Sequence, residues 1–330
     1  MRRDGSALLC IVIPAYNEEI AIGQTIVDYK EVFPDAVIVV VDNNSSDRTG
    51  ERALAELDLS RDLLIVERRQ GKGAAVKAGL SRVCADVYIM TDGDNTYTAA
   101  DAKRLYDILL DQRCDMVVGD RVTGGTYALQ NTRRGHSRGN RILTRYISYL
   151  ANQHYHDVLS GLRIMSRPFV NMLDIRSSGF QLETELNIVA AYVRAKVVEE
   201  PIDYRVRPEG SESKLSTVRD GIRIATFGLI NWIAFYPLQF FGAISGATLA
   251  ASLALGFFVF SVFFETNAMP YPSTAVAAAV MGLVGLQAMF AGLITRVITR
   301  AGRRRDVARM VEMRRNWNRE LDSVWFPPSH

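Results

Sequence analysis

The chain reads as an α/β unit, a mainly parallel sheet with helices on both faces, joined to a C-terminal transmembrane α-hairpin. Two patterns in its 330 residues carry this reading. Up to residue 120, short and fully apolar β-rich runs alternate with stretches of helical spacing, and strands that are apolar on both faces belong to a sheet covered on both sides. Further on, Glu265 is the only charged residue between Tyr236 and Ile294.

In order, the strands are expected at Leu8–Ile13, Ala36–Val41, Leu63–Val66, Val87–Met90 and Met116–Val118. Helical spacing fills Glu18–Tyr29, Asp47–Leu57, Gly73–Val83 and Ala99–Leu110 between them. Residues 121–141 break the pattern: glycines alternate with arginines, as in a basic loop running into a helix near Ile142–Asn152. A short strand near Arg163–Ser166, a helix around Glu183–Arg194 and a strand Val197–Tyr204 follow, then a polar loop Arg205–Lys214. These elements define a domain over residues 1–215.

Residues 216–235 place apolar positions beside Arg219, Asp220 and Arg223, which suits an amphipathic helix lying at a membrane surface with Trp232 and Tyr236 at the interface. Residues 236–295 hold two spans, about 238–264 and 273–295, each long enough to cross a hydrocarbon core of about 30 Å. The link Glu265–Pro272 has no Lys or Arg, whereas Arg219 and Arg223 flank one end and Arg296, Arg300 and Arg303–Arg305 the other. The positive-inside rule then puts both termini and the domain over residues 1–215 in the cytoplasm, with residues 296–330 as a basic tail. The expected location is an integral membrane protein, of the inner or plasma membrane in a bacterium.

Other classes fall away. A net charge of +3 gives no reason to expect nucleic acid as a partner. Met1-Arg2-Arg3 and the apolar run Ala7–Ile13 mimic a signal peptide, but the run is short and no small-residue cleavage site follows, so a first strand is expected. Cys10, Cys84 and Cys114 form no CxxC and read as buried free thiols in a reducing compartment. Gly71-Lys72-Gly73 lacks the offsets of a P-loop, and no G-x-G-x-x-G follows the first strand. His154 and His156 have no further ligand in view and read as ordinary histidines.

The polar clusters sit where such sheets bind ligands, after the strands: Tyr16-Asn17-Glu18, Asp42-Asn43-Asn44 and Asp92-Gly93-Asp94. Two carboxylates one residue apart in an extended chain point the same way. Together they suit a hard divalent cation, Mg2+ or Mn2+, shared with a diphosphate.

Ile11–Glu18, Val39–Thr49, Gly71-Lys72-Gly73 and Asp92-Gly93-Asp94, in this order and spacing, resemble the family 2 glycosyltransferases of the GT-A fold, whose sheet is Rossmann-like. Gly119-Asp120-Arg121, Asp157 with Ser160-Gly161-Leu162-Arg163, and Arg207 through Ser213-Lys214-Leu215 are similar to the polyprenyl-phosphate glycosyltransferase and dolichyl-phosphate mannose synthase branch. A pair of C-terminal membrane helices is typical of one subgroup. The last motif carries one extra residue, and Thr96 stands where relatives often have Gln.

The resemblance implies roles. Pro14, Ala15, Tyr16 and Glu18 would line the nucleotide pocket, Asp42 would accept from the base N–H, and Lys72 would lie near the nucleotide. Asp92 and Asp94 would carry metal and diphosphate. Arg121, with Arg133, Arg134 and Ser137, would meet an acceptor phosphate, and Arg207 and Lys214 would close over the donor diphosphate. Asp94, Arg121 and Arg207 are the expected catalytic set.

The implied activity is an inverting, metal-dependent transfer of one hexose or N-acetylhexosamine from a nucleotide-diphosphate sugar to a polyprenyl phosphate at the cytoplasmic face. UDP-sugars are favoured and GDP-mannose stays open, as do the polyprenyl chain and a homo-oligomer. Two alternatives stand beside it: transfer to a saccharide, with Glu185 as base, and a non-enzymatic nucleotide-sugar binder. A processive synthase is disfavoured by the missing Gln-x-x-Arg-Trp signature, which Arg314-Arg315-Asn316-Trp317 does not supply.

Overall fold

The structure is a computed structural model and describes residues 8–123, 136–151, 153–179, 181–207 and 217–325. The chain divides into two compact units: Met1–Gly228 together with Asp306–His330, and Leu229–Arg305.

The first unit is built on one seven-stranded sheet. β1 (Leu9–Ala15), β2 (Val37–Asp42), β3 (Leu63–Val66), β4 (Val87–Met90), β5 (Met116–Asp120), β6 (Arg163–Ser166) and β7 (Val197–Pro201) lie in the order β3-β2-β1-β4-β6-β5-β7. β6 runs antiparallel to both its neighbours and every other pairing is parallel. β1 is flanked by β2 on one side and β4 on the other, so the strand order reverses there. Ligands of open α/β sheets bind in the crevice at such a switch point.

Side-chain alternation sorts the core into two faces. Ile11, Ile13, Ile38, Val40 and Ile89 pack with α1 (Ile22–Val32) and α4 (Ala99–Asp111) on one face. Val12, Val39, Val41 and Met90 pack with α3 (Lys72–Leu80) and a later helix, Leu182–Val193, on the other. Every residue of β1 is buried, which is why it reads as an unbroken apolar run. α2 (Thr49–Glu56) packs beside α1. α5 (His136–Ala151) and the single turn α6 (Arg167–Val170) precede the helix just named, which is α7 (Leu182–Val193).

The loops leaving β1, β2 and β4 each hold one asparagine at positive φ: Asn17 at 52°, Asn44 at 60° and Asn95 at 56°. Asparagine enters this left-handed region more readily than other side-chain-bearing residues, so the three polar clusters contain the residue that lets the chain turn sharply. The helix expected from Glu18 begins only at Ile22. The backbone before it is held by other partners, Glu18 N by Thr49 Oγ1 at 2.8 Å and Glu19 N by Asp47 Oδ2 at 3.2 Å. Cys10 and Cys114 are buried, as expected; Cys84 is exposed, because it lies in the irregular segment between α3 and β4 rather than in a strand. Burial pushes the Cys10 thiol up to about 12, so it stays protonated.

The last stretch of the chain belongs to this unit. α8 (Thr217–Phe235) and α9 (Pro237–Thr266) lead to α10 (Pro272–Trp325), whose C-terminal part packs on the sheet unit. Met310 joins the α3–α7 core, and Trp317, 1% exposed, joins the other core with Leu321. Arg314 and Arg113 secure this segment at the strand edge opposite the carboxyl ends: Arg314 bonds Asp115 before β5, and Arg113 bonds Asn318 O at 3.2 Å and Asp322.

In the second unit, α9 and the first part of α10 are each long and apolar enough to cross a membrane. Ser252 donates to Ala278 O at 2.7 Å, tying α9 to α10 within the apolar stretch. α9 ends at Asn267, whose φ of 53° caps the helix and starts the short turn to Pro272.

Candidate active site

The site lies at the carboxyl ends of β1, β2 and β4. Asp42, at the end of β2, accepts from Ser45 N at 3.0 Å. Its neighbour Asn43 accepts from Gly71 N at 2.6 Å and donates to Glu67 O and Arg69 O, tying the β2 end to the turn that carries Lys72. Ser45, Asp47 and Thr49 in turn hold the backbone of Asn17, Glu19 and Glu18, so the loop after β1 is tied to the loop that follows Asp42.

Gly71 and Gly73 let the Lys72 turn press against the loop before α7. Gly71 has φ +130°, and a Cβ on it would stand 2.0 Å from Ser178 O; one on Gly73 would stand 2.1 Å from Ser177 O. No other residue fits. Lys72 Nζ then reaches Asp92 Oδ1 at 2.6 Å and Glu183 Oε1 at 2.6 Å. Burial alone would lower the Lys72 pKa, but the Asp92 and Glu183 carboxylates outweigh it and raise the pKa, so this ammonium is charged.

Asp94 is 2% exposed. It accepts from Thr96 N at 3.2 Å and Thr96 Oγ1 at 2.6 Å, so Thr96 locks the rotamer of the second carboxylate. Its other oxygen pairs with Arg207 Nη2 at 2.5 Å. The chain after β7 is brought over the site by Arg205 N, which donates to Thr96 O at 2.9 Å. Burial and the neighbouring Asp92 charge push the Asp94 carboxyl up, partly offset by Arg207 and Thr96.

On the other side, Arg121 grips Asp157 through two nitrogens of one edge, Nε at 2.7 Å and Nη2 at 3.0 Å, and lies over the Tyr204 ring at 5.5 Å. Such a bidentate fork fixes the guanidinium plane. The loop bearing Asp157 is anchored beneath by Arg163, whose fully buried guanidinium donates to Val158 O, Ser160 O and Asn187 Oδ1. Burial holds the Arg163 pKa below its ordinary value. Gly161 closes the loop onto the carboxylate pair. Tyr97 Oη accepts its N–H at 2.8 Å, and a Cβ there would stand 2.7 Å from Asp92 Oδ2.

Pro14, Ala15, Tyr16, Glu18, Asp42, Lys72, Asp92, Asp94, Arg121 and Arg207 therefore all occupy the carboxyl edge of one sheet. Arg133, Arg134 and Lys214 lie outside the described residues, and the side chains of Ser137, Arg219, Arg223 and Trp232 are not described either. Glu183, Asn187 and Tyr97 were missed by sequence reasoning. Glu183 and Asn187, four apart and so on one face of a helix that also buries Leu182, Leu186 and Ala190, are the signal that was available. Glu185 has both oxygens engaged, accepting from Arg176 N at 2.9 Å, Ser177 N at 3.0 Å and Ser177 Oγ at 2.6 Å.

Residues 10–173 match the family described as Glycosyl transferase family 2. Glycosyltransferase AglJ of Haloferax volcanii is 32% identical over 299 residues, 88% of this chain and 93% of that protein. The chain belongs to glycosyl transferase family 2. Other relatives of this family 2 chain carry lipid-phosphate names. A dolichyl-phosphate hexose transferase of H. volcanii is 32% identical over 66% of this chain and 90% of its own length. A polyprenol monophosphomannose synthase of Mycolicibacterium smegmatis is 30% identical over 67% and 85%. Among solved structures, glucosyl-3-phosphoglycerate synthase of Mycobacterium tuberculosis, in complex with Mn2+, UDP-glucose and phosphoglyceric acid, aligns with a TM-score of 0.54 at 19% identity. It covers 69% of this chain and 80% of that one, and shares the GT-A fold.

In this family 2 transferase the donor set fits a hard divalent cation. Asp92 and Asp94 offer oxygen ligands, and Gly161 leaves Asp92 room. Among the described residues no group of three His, Cys or carboxylates forms a self-sufficient cage. Two carboxylates completed by substrate phosphate and water are what Mg2+ ordinarily takes.

Proposed function

We propose that this protein is an inverting glycosyltransferase that moves one sugar from a nucleotide-diphosphate sugar, UDP-linked by preference, to a polyprenyl phosphate. One observation carries the reading. Around the carboxylate pair stand three cations, Lys72, Arg207 and Arg121, each ion-paired with a carboxylate, while Glu185, the acid that would serve as base, has both oxygens taken by Arg176 N, Ser177 N and Ser177 Oγ. A saccharide hydroxyl needs a base to take its proton. A phosphomonoester, largely dianionic near neutrality with a second pKa of about 6, does not. It needs cations to position it.

Asp42 and the Pro14–Glu18 turn would hold the nucleoside, and Lys72 and Arg207 the diphosphate. Arg121, its plane fixed by Asp157 and Tyr204, would hold its positive charge beside the acceptor phosphate. An oxygen of that phosphate forms the new bond to the anomeric carbon from the face opposite the diphosphate, whose bond to that carbon breaks. The nucleoside diphosphate departs with the bonding pair. A divalent cation on Asp92 and Asp94 would supply electrostatic stabilisation of that leaving group. The solved relative bound to Mn2+ and UDP-glucose supports this donor chemistry, and the lipid-phosphate names of the relatives support the acceptor.

The hairpin would hold the protein in the membrane with the sheet unit in the cytoplasm. Support comes from Arg296, Arg300 and Arg303–Arg305 beside the second span, and from a turn without Lys or Arg between the spans. The chain also leaves the sheet unit at Gly228 and rejoins it at Asp306, which calls for an even number of crossings.

The test is a panel of radiolabelled UDP- and GDP-sugars, offered to membranes containing the protein with polyprenyl phosphate or a soluble saccharide as acceptor. Label should move into the lipid fraction. Efficient transfer to the saccharide and none to the lipid would replace this reading with the saccharide alternative.

A further inference from the structure

Lys72 has two counterions. Its ammonium meets Asp92 and Glu183 at the same distance, 2.6 Å, while Asp94 is paired with Arg207. Glu183 is 3% exposed, in the first turn of α7, where the helix dipole favours a carboxylate. The Gly71–Gly73 turn pinned on Ser177 and Ser178 fixes the base of the lysine, and Glu185 fixes Ser177. One helix therefore controls the lysine at both ends, its backbone through Glu185 and its charge through Glu183.

The charge count decides what Glu183 does. Asp92 and Asp94 against Lys72 and Arg207 would balance, leaving a neutral set with no electrostatic pull on a further cation. Within these direct ion pairs Glu183 makes it three carboxylates against two cations, with Arg163 and Arg121 held by partners further out. An ammonium has three N–H donors and is not bound to one acceptor. With Glu183 present, Lys72 stays in place when Asp92 turns elsewhere.

We propose that Glu183 is a positioning residue of the donor site: it retains Lys72 by its ammonium, so that Asp92 can exchange that lysine for a divalent cation while Lys72 stays beside the diphosphate. Glu183 itself touches neither substrate nor cation. The inference rests on the metal- and nucleotide-binding part of the proposed function, not on the identity of the acceptor.

The experiment uses the full chain in detergent, with Mn2+ and free UDP as probes (GDP run beside it) read by calorimetry. Glu183→Gln keeps size and a hydrogen-bond acceptor but removes the charge. Lys72 should then settle on Asp92, and Mn2+-dependent UDP binding should weaken by about 10- to 100-fold, the usual cost of losing a partner behind a metal ligand. In lipid transfer, the Mn2+ concentration for half-activity should rise while kcat at saturating Mn2+ stays near the parent value. In a Lys72→Met background, introducing Glu183→Gln as well should add little, because Glu183 acts through the lysine. Unchanged Mn2+·UDP affinity in E183Q, a fall in kcat alone, or a full additive loss on top of K72M would each overturn the proposal. Should E183Q fail to fold, Asp92→Asn answers from the other end: Lys72 should remain as protected from an amine-acylating reagent as in the parent, read by peptide mass spectrometry, and its exposure would overturn the proposal. Binding of Mn2+·UDP without any lipid transfer by the parent would remove the polyprenyl acceptor and leave Glu183's role standing.

Discussion

Arg314 Nε donates to Asp115 Oδ1 at 2.9 Å, joining residues 199 positions apart in the chain. Asp115 lies at the foot of β5, its side chain fully buried, and its other oxygen accepts from Lys196 N at 2.6 Å. Burial pushes its carboxyl up against the opposing pull of Lys196 and Arg314. The pair belongs to a stripe, Met310, Arg314, Trp317 and Leu321, that docks on the edge of the sheet away from the chemistry.

Trp317→Ala should therefore destabilise the sheet unit by about 3–5 kcal/mol, the range for emptying a buried aromatic site. The Km for the donor should not move. Thermal unfolding beside steady-state kinetics checks both. A chain ending before Tyr236 lacks Met310, Trp317 and Leu321, and should be recovered aggregated rather than as a stable UDP-binding domain.

Asp94→Asn keeps the bonds to Thr96 in shape but loses the charge opposite Arg207. Turnover should fall by at least about 100-fold, the scale of one transition-state electrostatic contact. A chelator should act likewise, reversibly with added Mg2+ or Mn2+. Full activity in excess chelator would remove the metal from the reaction.

Arg121→Lys retains charge but not the fork to Asp157. It should depress transfer to polyprenyl phosphate while leaving UDP affinity by calorimetry close to the parent. Asp157→Ala leaves a buried guanidinium without its carboxylate and should cost about 3–5 kcal/mol of stability. If Arg121→Lys transfers at the parental rate, Arg121 does not orient the acceptor.

Asp47 accepts from Thr49 and Glu19, and although burial opposes it, these bonds hold its pKa below the ordinary value of 3.8. A carboxylate with a depressed folded pKa contributes stability that is complete above its unfolded pKa and is lost as pH falls through the folded one. Asp47→Asn should thus lower stability at neutral pH and flatten its decline below pH 3.8. Urea unfolding across that acid range measures it; parallel curves for parent and variant would exclude the effect.

Cysteines placed at Asn267 and at Arg304 should react with impermeant reagents from opposite sides of the membrane. Labelling of both from one side would refute the two-span hairpin.

The strands were legible because β1, β2, β4 and β5 are buried on both faces and so read as apolar runs. β6 was legible as a strand but not in its place. It lies between β4 and β5, antiparallel to both, with Arg163 mid-sheet and its guanidinium donating to two carbonyls and Asn187, a pairing that no local spacing announces. The motif residues at the strand ends could be read because their spacing is local. Glu183 could not, since its partner is 111 positions away and comes near only through the Gly71–Ser178 contact. The docking stripe was hidden by the arginines around it, which by composition alone resemble a solvated segment.

That stripe also bears on how the protein is made. A ribosome releases all seven strands before residue 202, yet the seat for Trp317 stays empty for more than a hundred further residues, the hairpin included. At ordinary elongation rates that interval is on the order of ten seconds. The nascent sheet spends it with an apolar notch open to water. The hairpin leaves the ribosome before those last turns, which then close the sheet unit from the edge away from the site.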